Sequence, residues 1–186
     1  MSAEAIKTKR FEEAVLPHLN AAYNLARWLV RHDQDAQDVV QEAYLRAYRF
    51  LDGFKGGDAR AWLLTIVRNT SYSHLEKNRA CAQLLPFDED FEGGVAQGSA
   101  TLLNQADNDP AAILARVDDE KIFRLALEQL PLDFREILVL RELENLAYKE
   151  IAIVVGIPIG TVMSRLARAR KLLLENLTRR QSGALE

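Results

Sequence analysis

Tyr148-Lys149-Glu150-Ile151-Ala152-Ile153-Val154-Val155-Gly156-Ile157-Pro158-Ile159-Gly160-Thr161-Val162-Met163-Ser164-Arg165-Leu166 is the stretch whose spacing decides the fold. Ala152 is a small residue where two helices can cross. Gly156 follows four residues later, where a tight turn needs positive φ. Val162 comes six residues after that and packs the second helix on the first. Ile151, Val155, Ile157 and Leu166 complete the apolar set. A short helix, a glycine turn and a second helix account for this pattern, which is helix-turn-helix spacing. An ordinary helical hairpin would want the same small residue and turn glycine, so the polar side of the second segment has to choose. From Thr161 to Arg180 there are six basic side chains, Arg165, Arg168, Arg170, Lys171, Arg179 and Arg180, against one acid, Glu175. A helix lying in the major groove needs short polar and cationic side chains toward bases and phosphates. Thr161, Ser164, Arg165 and Arg168 stand at the leading end, each three or four residues from another.

Upstream the chain also reads as helices. Phe11, Val15, Leu19, Ala22, Ala26 and Leu29 recur at helical spacing, with Pro17 expected to kink or restart that helix. Val39, Val40, Ala43, Tyr44, Ala47 and Leu51 share a second face, and Asp33 and Asp35 suit its N-terminus. Gly56 and Gly57 end that segment, and Asp58 is placed to cap the next, which carries Trp62, Leu63, Ile66, Val67 and Thr70 toward Arg79. Nearer the C-terminus, Ile122, Leu125, Ala126 and Leu130 form one face before Pro131, and Phe134, Ile137, Leu138 and Leu140 another. No window alternates as a strand does.

Charge divides the 186 residues into parts. Residues 1–79 carry 12 basic and 10 acidic side chains, residues 80–120 carry 1 and 9, and residues 121–186 carry 11 and 8. The acidic middle is punctuated by Pro86, Gly93, Gly94, Gly98 and Pro110, with Phe87 and Phe91 set among Asp88, Glu89, Asp90 and Glu92. The expected fold class is therefore all-α: two small helical domains, 1–79 and 116–186, joined by a flexible acidic linker over 80–115. The two phenylalanines either dock on a partner or a neighbouring module, or are incidental.

Several function classes drop out. No segment approaches the roughly 18 uninterrupted apolar residues of a membrane span, and Met1 to Arg10 lacks a signal-peptide core, so a cytoplasmic location is expected. The single cysteine, Cys81, excludes an internal disulfide and is read as inert. His18, His32 and His74 form no ligand spacing, so no metal is expected. There is no phosphate loop, no His-Glu-x-x-His pair and no Gly-x-Ser-x-Gly elbow, so no catalytic residue, cofactor or small-molecule substrate is expected.

Longer strings carry a resemblance. Leu130 to Arg141, Leu146 to Ala152 and Gly160 to Arg170 resemble the promoter-binding end of an extracytoplasmic-function (ECF) sigma factor of bacterial RNA polymerase. Asp35 to Tyr48 resembles the family's core-polymerase-binding helix. Phe54-Lys55-Gly56-Gly57 and Ala61 to Asn69 resemble the segment that opens promoter DNA. The resemblance implies an alternative sigma factor whose partners are bacterial core RNA polymerase, promoter DNA and an anti-sigma factor. It assigns core binding to Asp38, Gln41, Glu42 and Arg46. It assigns the minus-ten element to Phe54, Lys55, Arg68, Asn69, Tyr72, Lys77 and Arg79. It assigns the minus-thirty-five element to Thr161, Met163, Ser164, Arg165, Arg168 and Lys171. Asp38, Glu42 and Arg46 share a helix face, although a solvated face with one Glu42–Arg46 pair fits the spacing equally. The aromatic, amide and cationic mix after Phe54 suits single-stranded DNA, with Trp62 read as core.

Two positions depart from the family pattern. Met163 stands where a basic residue is common; it cannot pair with phosphate or guanine but can touch a thymine methyl. Lys149 stands where an acid is common. The rival readings are a sigma-like protein-interaction mimic and a helix-turn-helix regulator that does not itself initiate transcription. The basic run from Arg165 to Arg180 argues against the first, and the absence of a ligand or receiver domain against the second.

Overall fold

The computed structural model describes the backbone of residues 3–84 and 110–183 and the side chains of residues 4–81 and 119–179. Among these residues all regular structure is helical: α1 (Ala3–Ala14), α2 (Leu19–Val30), α3 (Asp33–Phe50), α4 (Ala59–Leu84), α5 (Pro110–Glu128), α6 (Leu132–Leu138), α7 (Tyr148–Val155) and α8 (Ile159–Gly183). Phe87 and Phe91, with the acidic cluster around them, lie outside the described residues. Helix occupies both ends of the segment expected as linker: α4 continues to Leu84 and α5 begins at Pro110. Ala80 to Leu84 contains neither glycine nor proline, and proline is tolerated in a helix's first turn.

Local chemistry sets the helix ends. Pro17 sits in a single 3-10 turn, Leu16–His18, between α1 and α2, as a fixed φ and missing N–H dictate. Asp58 Oδ1 accepts the backbone N–H groups of Arg60 at 2.9 Å and Ala61 at 3.2 Å, capping α4. Gly156 closes α7 with φ +73, and its N–H and that of Ile157 both reach the Ala152 carbonyl. The Glu150 carboxylate accepts the Ala147 N–H at 2.5 Å and so caps the start of α7.

The first half is a bundle in which α2, α3 and α4 pack pairwise. Leu25, Leu29, Leu51, Leu63 and Leu64 are fully buried in it, and burying such a side chain is worth about 1.5–3 kcal/mol. Helix α4 also buries Thr70 and Ser71, whose hydroxyls donate to the carbonyls of Ile66 at 2.8 Å and Val67 at 2.9 Å. In the second half α8 packs on α5, α6 and α7, around Ile151, Val162 and Leu166. Helices α7 and α8 meet at 99°, within the range of a helix-turn-helix. Ala126 and Leu127 of α5 and Leu130 just beyond it are buried, whereas Ile122 and Leu125 of the expected face are only half-buried.

The two halves also touch. Helix α2 packs on α6, and α4 packs on α7. The chain between α6 and α7 is unusual. Val139–Leu143 forms a π turn, in which the Glu144 N–H reaches the Val139 carbonyl at 3.0 Å. Asn145 then takes φ +54, a left-handed conformation that asparagine tolerates better than most residues.

Candidate functional site

Helix α3 offers the first candidate face. Val39, Val40, Ala43 and Ala47 are buried, which leaves Asp38, Gln41, Glu42 and Leu45 exposed and Arg46 half-buried. Arg46 Nε donates to Glu42 Oε1 at 2.8 Å, the intrahelical pair the spacing allowed. Asp38, Glu42 and Arg46 form one wall of a cleft of about 280 Å³; Thr70, Ser73, His74 and Lys77 of α4 form the other. His74 also lies 3.4 Å from Asp35 in the first turn of α3. The cleft thus presents the exposed carboxylates of Asp38 and Glu42 and the exposed cation of Lys77, with half-buried Arg46 paired to Glu42, a polar surface for a partner.

The loop before α4 is the second element. Gly56 and Gly57 have φ of +100 and +106, conformations that disfavour any side chain. The loop is anchored rather than loose. The Phe54 ring stacks on Trp62, with centroids 4.8 Å apart, and Arg10 donates to the Phe54 carbonyl. Trp62 is half-buried and packs against the core, as read from the sequence. Lys55 is exposed at the loop tip.

Along α4 the candidate minus-ten residues do not form one face. Arg68 and Tyr72 stand together, the guanidinium 4.4 Å from the ring centroid, and Arg79 continues that side seven residues on. Asn69 is exposed beside Arg68, which reaches its Oδ1 at 3.5 Å. Lys77 lies nine residues beyond Arg68, half a turn round the helix, and belongs to the α3 cleft.

Arg68 and Tyr72 are met by the second half of the chain. Arg68 donates through Nε and Nη2 to the two carboxylate oxygens of Glu136 in α6, the second at 3.4 Å. The Tyr72 hydroxyl reaches Glu136 Oε2 at 3.1 Å and Asp133 Oδ1 at 3.5 Å. Glu136 has no exposed surface. Its burial pushes the carboxyl above the ordinary glutamate range, against the pull of Arg68 and Tyr72. Burial also raises the Tyr72 phenol, with the Glu136 charge adding to it. Nearby, buried Glu144 takes hydrogen bonds from Arg60 at 2.6 Å and Asn24 at 3.2 Å. Arg135, buried at 3 % exposure, reaches back to the Leu29 carbonyl at 3.4 Å, at the end of α2. Burial and neighbouring Arg31 lower its guanidinium to about 10, which leaves it charged at neutral pH. None of Arg135, Glu136 and Glu144 is singled out by the helical pattern of the sequence.

The third element is α8. Ser164, Arg168 and Lys171 are exposed at intervals of four and three and make a polar stripe, with Thr161 half-buried at its head. Met163 is half exposed beside that stripe. The arginines differ in their surroundings. Arg170 gives two hydrogen bonds to Glu142 Oε1, at 3.0 and 2.7 Å, which hold its guanidinium above the ordinary value. Arg165 lies 3.7 Å from Asp133. Lys149, the second departure from the family pattern, is exposed on α7.

Known proteins bear on these three elements. Residues 14–81 match the family model described as Sigma-70 region 2, and residues 120–173 match Sigma-70, region 4. The RNA polymerase sigma-H factor of Pseudomonas aeruginosa is 37% identical over 169 residues, covering 89% of this chain and 84% of that protein. The ECF RNA polymerase sigma-E factor of Escherichia coli is 38% identical over 144 residues, covering 75% of this chain and 72% of its own length. Among solved structures, the sigma factor RpoE in complex with the anti-sigma factor NepR, from Bartonella quintana, superimposes with a TM-score of 0.69 at 29% identity, covering 91% of this chain and 98% of that one. CnrH in complex with the cytosolic domain of CnrY gives a TM-score of 0.60 at 26% identity, covering 92% and 90%. With both regions matched in order and relatives aligned over most of their length, the chain belongs to the extracytoplasmic-function group of bacterial RNA polymerase sigma factors.

Proposed function

We propose how this alternative sigma factor, which binds core RNA polymerase and directs promoter-specific initiation, divides that work among its residues. Asp38, Gln41, Glu42 and Arg46 on α3 dock on the polymerase. Phe54, Lys55, Arg68, Asn69, Tyr72 and Arg79 take the opened minus-ten strand, and Lys77 serves the α3 cleft as much as the DNA. Thr161, Met163, Ser164, Arg165, Arg168 and Lys171 read the minus-thirty-five element. The observation that carries this reading is the placement of two exposed polar surfaces, the α3 cleft and the α8 stripe, on separate helical units of one chain.

The chemistry follows from the residues. A chain without its own hydrolytic motif opens DNA only by binding the single-stranded form better. Extruding a base costs a few kcal/mol, and stacking on an aromatic returns about 1–3 kcal/mol. The protein needs no cofactor and has no catalytic residue of its own, and it works in the cytoplasm beside the polymerase. Met163 shifts the minus-thirty-five preference toward a thymine methyl. An anti-sigma factor holds the chain inactive, a reading supported by the complexes of RpoE with NepR and of CnrH with CnrY.

In vitro transcription with purified core polymerase and a pool of genomic promoter fragments tests the assignment. Transcripts that depend on the wild-type chain, and are lost with Asp38→Ala or Arg168→Ala, uphold it. Core binding without any transcript would favour the protein-interaction mimic.

A further inference from the structure

Helix α1 precedes most of the residues matched to Sigma-70 region 2, which begin at residue 14, and no residue assigned to polymerase or DNA lies on it. Its packing is nevertheless specific. Phe11 meets Tyr44 and Tyr48 of α3 edge to face, with ring centroids 6.0 and 5.3 Å apart. The Tyr44 hydroxyl donates to the Val15 carbonyl at 3.3 Å, and Thr8 Oγ1 lies 3.2 Å from the Tyr48 hydroxyl. Residues three and four apart share a helix face, so Lys7 and Arg10 are carried on the side that Phe11 anchors. Both reach the chain that leads into the α4 loop. Lys7 Nζ pairs with Asp52 Oδ2 at 2.6 Å, and Arg10 Nη2 donates to the Phe54 carbonyl. On the far side of the loop, the Phe54 ring stacks on Trp62 and Asp58 caps α4. Between these anchors stand Lys55, Gly56 and Gly57, all exposed. Two consecutive glycines have the widest backbone freedom, so the shape of this span is set by where its ends are held. Helix α1 holds the upstream end.

We propose that Lys7 and Arg10 of α1 are positioning residues for base capture: by fixing Asp52 and the Phe54 carbonyl they hold the Phe54–Gly57 loop in the shape that takes an extruded base of the minus-ten strand. The proposal rests on the assignment of that loop to the minus-ten strand. Capture has to offset the unstacking of a base. A loose loop would in addition lose its own conformational freedom at the moment of binding, and a loop already held in place does not. The two contacts differ in kind. Lys7 and Asp52 join side chain to side chain, and the Asp52 carboxylate is largely exposed, so solvent weakens that pair. Arg10 grips a main-chain carbonyl two residues before the glycine pair, through a charge-assisted hydrogen bond. It fixes the backbone itself and is the stronger of the two holds. Neither side chain has to touch DNA.

The test uses the full chain bound to core polymerase. The probe is a fork made from a promoter that the wild-type holoenzyme transcribes, double-stranded upstream and single-stranded across the minus-ten element. Each minus-ten base is replaced in turn by an abasic site. For the wild type, one abasic position should weaken binding about tenfold, the loss of one stacked base. In Arg10→Ala the intact fork should bind about as weakly as that abasic fork, so the contrast between the two disappears. Arg10→Lys, which still donates to the carbonyl, should regain most of the contrast, and Lys7→Ala should lose part of it. Lys9→Ala, a control at an exposed position of the same helix, should behave as wild type. Equal weakening of the intact and abasic forks by Arg10→Ala, with the contrast kept, would overturn the proposal, because Arg10 would then be a phosphate contact or a residue that only supports the fold. If Arg10→Ala loses its helical dichroism, Lys7→Ala decides by the same contrast. Failure of the functional reading looks different: with the wild type itself no promoter is transcribed, or no abasic position stands out.

Discussion

Arg68 and Glu136 lie 68 positions apart in the chain, yet the guanidinium of one meets both carboxylate oxygens of the other with Glu136 wholly buried. The pair makes stability depend on pH. A carboxyl raised in the folded chain binds more protons there than when unfolded. Stability therefore falls as pH rises from the ordinary glutamate value, about 4.3, through the raised one. Arg68 and Tyr72 pull against this shift, and Asp133 adds to it. Urea midpoints measured from about pH 4 to about pH 7 should show the decline, and Glu136→Gln should flatten it. An unchanged slope in the variant would place the titrating group elsewhere.

Arg168 and Arg170 should differ although two residues separate them. Arg168 is exposed in the stripe with Ser164 and Lys171, whereas Arg170 already gives two hydrogen bonds to Glu142. Arg168→Ala should weaken binding to a minus-thirty-five duplex and lower the salt slope by about one. Arg170→Ala should change both less. Equal effects from the two would contradict the assignment of the stripe.

Asp38 is exposed on α3 and lines the cleft shared with α4. Asp38→Ala should reduce affinity for core polymerase and leave the urea midpoint within about 0.5 kcal/mol of wild type. Glu42→Ala also removes the pair with Arg46, which is worth only about 0.2–0.5 kcal/mol to the helix. A large stability loss in either variant would mean that this face is structural.

Gly156 turns the chain between α7 and α8 at φ +73, and a Cβ placed there would meet nothing within 4 Å. Gly156→Ala therefore tests backbone strain without a steric clash. It should cost about 1–2 kcal/mol in denaturant unfolding and weaken duplex binding by tilting α8. A variant as stable as wild type would show that the turn tolerates an L side chain.

The features legible in the sequence were those whose cause is local. Pro17, Asp58 and Gly156 act on their own backbone or the next few residues, and each marks a helix boundary in the structure. The Ala152–Gly156–Val162 spacing implied the two helices and their crossing. Arg135, Glu136 and Glu144 escaped notice because their burial depends on Leu29, Arg68, Arg60 and Asn24, far away in the chain. No local periodicity records such a neighbour, and an acid on a helix reads as solvated. Lys77 is a different case. Its nine-residue spacing from Arg68 already puts the two on opposite sides of one helix, so a helical projection would have separated them.

The π turn at Val139–Leu143 carries a consequence for chain length. A wider turn advances the chain less per residue than an α-helix, and here it ends with Glu144 on the side already taken by Glu136, both toward arginines of α4. A π turn amounts to one residue inserted in an α-helix, so deleting one from 139–143 would let the segment wind as plain α-helix with Glu144 still on the side of Glu136 and Arg60. The contact between the halves thus tolerates the loss of that one residue, whereas losing a second would turn Glu144 by about 100° away from Arg60.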